Sequence, residues 1–261
     1  MKIKKNDSTH SKFVSFFKLL LIGFPFVLFS FVVWKGQIPF WYDPARDFLM
    51  AIDNLSNLTF IGPPSGIPGV FYGPYWIWLL SFGVFFTKDP RLTAFLVGVV
   101  PYTIIFPLIL FRFSKWWGVS ATVLIWLLFI ANFGQNYATY LWNPHVAPVI
   151  FLGYVYMLMS TDFFKKGKSN YAKILGAGIL SGLILNFHIS FGIGVLFGSL
   201  IWLMFFYLGS IVRNKSFSLE KILQFILASV VFLGGVAITF FPFAAFEFKN
   251  GFSQIKTILN T

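Results

Sequence analysis

The chain has 261 residues, 57% of them hydrophobic and 21% aromatic, with only 11% charged and a formal net charge of +12. Together with a mean hydropathy of +0.79, these values exclude an ordinary soluble domain. Nucleic-acid binding is excluded too, because the basic residues flank apolar runs, where they set membrane orientation; with no cysteine there is no disulfide framework and no thiol chemistry.

A basic leader (Lys2, Lys4, Lys5, Lys12) precedes the apolar run Phe13 to Trp34. That run is too long for a signal peptide and no small-x-small cleavage site follows it, so it reads as a retained first helix. Further long runs are Leu92 to Phe111, Val119 to Tyr140, Val146 to Phe164, Ile174 to His188, Phe191 to Leu208 and Ile222 to Phe243. A span needs about 20 residues for a hydrocarbon core roughly 30 Å thick, so the class is polytopic and all-α, not a barrel. Tyr72 to Phe86 is short for a span. If it does not cross, seven spans leave the N-terminus and most lysines and arginines on the cytoplasmic side; if it crosses, "KKGKSNYAK" moves outside, against the positive-inside bias. Seven spans is therefore the expectation, in one continuous membrane domain over residues 1–261 with no internal repeat. The membrane expected is the cytoplasmic (inner) one, with the first long loop outside.

That loop, Lys35 to Arg91, is the longest and holds Asp43, Asp47, Asp53 and Asp89. After Asp43, the residues Ala45, Phe48, Leu49, Ile52 and Leu55 fall at helical spacing, while Arg46, Asp47, Asp53 and Asn54 lie elsewhere on the wheel. This predicts a short amphipathic helix along the outer surface. "FIGPPSGIPGVFYGP" follows, with repeated breakers that fit neither helix nor strand, and Tyr72 to Phe86 returns as a second, aromatic interfacial helix.

Asp43 has two readings. It can cap a helix that Pro44 opens, as Asn143 can before Pro144. Or it can face a polar cavity and orient or deprotonate a hydroxyl, or hold a divalent ion. Arg46, one turn on, makes a local ion pair with it in the simplest account; alternatively Arg46, with Lys88 or Arg91, meets a phosphate. His145 and His188 fall near outer ends of spans, each a structural residue or a member of a polar site shared with Asp43. No spaced histidine metal motif, Walker loop, GxGxxG or GxSxG occurs.

"YDPARDFLMAIDNL" followed by "LTFIGPPSGIPGVFYGPYWIWLL" resembles the first periplasmic loop of bacterial C-type membrane glycosyltransferases (the GT-C fold), the protein mannosyltransferase and aminoarabinose transferase relatives. The likeness extends more loosely through "LWNPHVAPV", "GLILNFHIS" and "PFAAFEFKNGF". It implies the family's N-terminal module of seven helices with two surface helices in the first outer loop, and Asp43 as the catalytic carboxylate. It also implies a sugar on a polyprenyl phosphate as donor, a lipid, glycan or protein hydroxyl as acceptor, and membrane lipid as the medium of both. Two departures stand out: Pro44 replaces the Glu or Gln that many relatives have after the Asp, and the family's helices after the seventh have no counterpart here. The resemblance therefore implies a glycosyltransferase or its N-terminal half, with Arg46, Asp47, His145 and His188 in support, Lys88 and Arg91 near the phosphate, and a divalent metal as a candidate cofactor. The alternative is a non-catalytic carrier or flippase component for a polyprenyl-linked glycan, or an inactive truncated subunit.

Overall fold

A computed structural model describes residues 7–161, 167–214 and 219–259. Lys2, Lys4, Lys5, Asp162, Lys165, Lys166 and Lys215, and with them the end of the expected span at Phe164, lie outside these residues. Every element among the described residues is helical; no strand is present, only one isolated bridge between Pro64 and Phe71. Among the described residues four helical segments are long and apolar enough to cross a bilayer: Pro90–Arg112, Val119–Thr139, Ile189–Phe206 and Leu219–Thr239. The remaining expected spans are helical at the expected places, but among the described residues they do not reach that length and composition.

The chain packs as two compact units. The first contains α1 (Asp7–Trp34), α4 (Pro90–Arg112) and α5 (Val119–Thr139). Pro25 sits inside α1 and has no N–H to give the carbonyl one turn back, which is that of Leu21. Trp126 of α5 supplies the missing donor, its indole Nε1 reaching Leu21 O at 2.9 Å. In hydrocarbon every such carbonyl needs a partner from the protein, so this bond satisfies the break and ties α1 to α5 at once. The α4–α5 contact is aromatic: Phe106 stacks on Phe129 with ring centroids 4.4 Å apart, and Tyr102 and Trp126 flank the pair. Wide π-type turns run through Phe95–Val99 and Pro101–Ile105, next to Pro101 and Pro107, whose missing N–H groups interrupt the regular ladder.

The second unit holds α2 (Tyr42–Asn54), α3 (Tyr75–Phe86), α6 (Ala147–Met159), α7 (Lys168–Phe187), α8 (Ile189–Asn214), α9 (Leu219–Thr239), α10 (Phe241–Lys249) and α11 (Ser253–Leu259). Its centre is α7, which packs against α6, α8 and α9 around Ile174, Ala177, Ile184, Phe232 and Val236. Lipid is as apolar as leucine, so helices in a membrane join through small residues that let backbones approach. At the α7–α9 seam a Cβ on Gly178 would lie 2.1 Å from Phe232 O, and one on Gly235 would lie 2.4 Å from Leu175 O. The Gly178-x-x-x-Gly182 spacing is thus the contact itself.

The glycine- and proline-rich loop between α2 and α3 turns back on itself, as its composition predicts: Gly62 N donates to Tyr72 O and Tyr72 N to Pro63 O. Gln254 of α11 pins it by accepting Phe71 N at 2.7 Å, and Glu247 holds α11 by accepting the first-turn N–H groups of Gln254 and Ile255. Glu247 is itself buried in this capping role.

Candidate functional site

The charged stretch of the first loop folds as α2, and α2 packs on α3. The face that α2 turns to the protein interior carries a carboxylate. Pro44, Asp47, Phe48 and Ala51 are buried, whereas Leu49 and Leu55 are exposed. A carboxylate on the inner face needs compensation, and Asp47 receives it in full. Arg46 donates from Nε and Nη2 to Asp47 Oδ1 at 2.8 and 2.6 Å, and Trp76 of α3 donates from Nε1 to Asp47 Oδ2 at 2.9 Å. Burial raises the Asp47 pKa above its ordinary value, with the hydrogen bonds from Arg46 and Trp76 opposing the rise.

Arg46 also reaches outward, from Nη1 to Asp43 Oδ1 at 2.8 Å, and its guanidinium lies 5.6 Å from the Tyr42 ring centroid. One guanidinium therefore bridges two carboxylates of different character. Asp47 is 0% exposed and consumed by three donors; Asp43 is 40% exposed and takes one. The expected local pair between Asp43 and Arg46 is present.

The capping reading of Asp43 does not hold. The helix begins one residue earlier, with Trp41 in the cap position and no side-chain cap bond, so Asp43 and Pro44 both lie within the first turn. Pro44 loses nothing there, because the first N–H groups of a helix have no intrahelical partner. Asn143 is likewise no cap: it opens a 3-10 turn, Asn143–Val146, and its amide donates to Phe187 O at 2.8 Å.

Further ties fix α2 on α3. Asn54 Nδ2 donates to Ser81 Oγ at 2.9 Å, and Ser81 Oγ lies within hydrogen-bond reach of Ala51 O. At the head of α3, Tyr75 Oη donates to Thr239 O at 2.9 Å, and Gly73 makes room for Asn186: a Cβ there would meet Asn186 Oδ1 at 1.8 Å.

The other expected residues have their own surroundings. His188 precedes α8 and accepts Phe191 N on Nδ1 at 3.2 Å, so it caps that helix. His145 stands edge-on to Trp142, with centroids 5.4 Å apart. Phe191 is also a wall of an apolar cavity of about 440 Å³ between α6 and α8, bounded by Phe151, Tyr154, Gly194, Gly198 and Trp202. Lys88 is exposed. Arg91 is engaged: its Nε and Nη2 hold Asp89 Oδ2 at 2.9 and 2.6 Å. Asp89 accepts Arg91 N and caps α4, and its pKa is lowered by these bonds.

The residues present do not fit a divalent ion held by the protein. Among the described residues no three His, Asp or Glu side chains gather, and Arg46 occupies the place between Asp43 and Asp47 that a cation would take. Trp76 was not expected in the site. The signal for it was a buried-helix indole N–H, which needs an acceptor, in a stretch where carboxylates are few.

The fold is that of an all-α membrane protein, carrying on the 13-residue helix α2 a buried ion-pair group with one accessible carboxylate. No protein-family model, curated protein or solved structure matches the chain.

Proposed function

We propose that the chain is a membrane glycosyltransferase of the C-type, or the N-terminal module of one, that uses a polyprenyl-phosphate-linked sugar at the outer face of the inner membrane. Seven spans with a cytoplasmic N-terminus, and α2 and α3 at the outer interface, complete this reading; the exposed Leu49 and Leu55 of α2 then face the lipid boundary. The observation that carries it is the asymmetry of the two carboxylates: Asp43, the residue that the resemblance marks as catalytic, is the accessible one.

In this reading Asp43 accepts the proton of the acceptor hydroxyl as that oxygen attacks the anomeric carbon. The bond from the anomeric carbon to the phosphate oxygen breaks, and polyprenyl phosphate leaves. Arg46 holds one oxygen of Asp43 in place during the attack, and Lys88 is the candidate cation for the departing phosphate. The apolar cavity beside Phe191 is of a size and character for part of an isoprenoid tail. Mass spectrometry of lipids copurifying with the protein tests the donor. A polyprenyl-phosphate sugar is the expected finding, and its absence from protein extracted under several mild conditions would count against the reading.

A further inference from the structure

The inference drawn here rests on the reading of Asp43 as the reacting carboxylate. An arginine free to choose meets a carboxylate with two parallel N–H bonds and covers both oxygens. Arg46 does not do this to Asp43. Its Nε–Nη2 edge is held by Asp47 Oδ1, and Nη1 alone reaches Asp43 Oδ1. Asp47 cannot turn away, because Trp76 holds its other oxygen and both side chains are buried, 0% and 1% exposed.

We propose that Asp47 and Trp76 are positioning residues: they keep the Arg46 guanidinium turned so that Asp43 Oδ2 stays open to the acceptor hydroxyl. Without the Trp76 N–H, Asp47 is free to rotate and release the Nε–Nη2 edge. Arg46 then closes on Asp43 with two N–H groups and covers the oxygen that takes the proton. A tie that merely joined α2 to α3 would act through stability alone. Ser81, which joins the same two helices away from the arginine, separates the two cases.

The test uses the full chain in lipid nanodiscs as wild type, Trp76→Phe, Asp47→Asn and the control Ser81→Ala. The first readout is carbodiimide labelling of Asp43 with glycine ethyl ester, followed by peptide mass spectrometry. Trp76→Phe and Asp47→Asn should label at least about threefold more slowly than wild type, and Ser81→Ala at the wild-type rate. The second is turnover of a panel of polyprenyl-phosphate hexoses. Trp76→Phe should lower kcat roughly tenfold or more with little change in KM, and should cost nothing further in an Asp43→Asn background. Wild-type labelling of Asp43 in Trp76→Phe overturns the positioning role even if Asp43→Asn is inactive. Normal turnover by Asp43→Asn overturns the reading of Asp43 itself.

Discussion

Two Asp-Pro dipeptides, Asp43-Pro44 and Asp89-Pro90, meet opposite fates. Asp89 stays outside its helix, accepts the N–H of Arg91 and caps α4, with Pro90 at the first helical position. Asp43 lies inside the first turn of α2 and spends its carboxylate on a side chain. The difference follows from where the arginine falls. In "DPAR" it is three residues on, within reach of the aspartate only when both belong to the helix; in "DPR" it is two residues on, where helical side chains diverge, and the pair forms because Asp89 remains outside. The second carboxylate, Asp47, then draws Arg46 inward, and Asp43 is left as the accessible group. A local start signal thus becomes a functional candidate through its neighbours.

The two arginines should differ most in what their loss costs. Arg46→Ala leaves Asp47 buried without its charge partner and should cost about 3–5 kcal/mol, visible as a large fall in the unfolding midpoint in detergent. Arg91→Ala should leave that midpoint in place, because its pair is exposed. An equal effect of the two would contradict the burial contrast. Next in size is the cap: Asp89→Ala should cost about 1 kcal/mol and Asp89→Asn a few tenths, since asparagine also caps. Asp43→Asn should not show this cap dependence in thermal unfolding.

The pH dependence carries the smallest effect and runs in opposite senses. The Asp89 pKa is lowered in the fold, so its contribution is complete above the ordinary value of 3.8 and is lost as pH falls through the lowered value. The Asp47 pKa is raised, so its contribution is complete below 3.8 and is lost as pH rises through the raised value. Unfolding midpoints against pH for Asp47→Asn and Asp89→Asn should each lose one of these two slopes. Loss of the same slope in both variants would show that one of the assignments has the wrong sign.

Periodicity and composition sufficed for the helices, since runs such as Leu92 to Phe111 and Ile222 to Phe243 have few polar residues to contest them. The turning loop was equally legible, because four prolines and four glycines between Phe60 and Pro74 leave little else. The burial of Asp47 was not. Leu49 and Leu55 fit the apolar side of a wheel, yet Asp47 is the buried residue, and only the partner helix explains why: its Trp76 carries an N–H that the wheel cannot show. For the same reason Pro25 gave no warning that Leu21 O would be met by Trp126, over a hundred residues away in sequence. The α7–α9 seam, by contrast, was open to reading in Gly178-x-x-x-Gly182.

The measurement that bears most directly on the proposed activity is transfer from polyprenyl-phosphate hexoses in proteoliposomes by Asp43→Asn beside Asp89→Asn, the two variants matched for insertion and folding. The account predicts that Asp43→Asn loses at least about a hundredfold in rate while Asp89→Asn keeps the wild-type rate. Transfer by Asp43→Asn at the wild-type rate would contradict it.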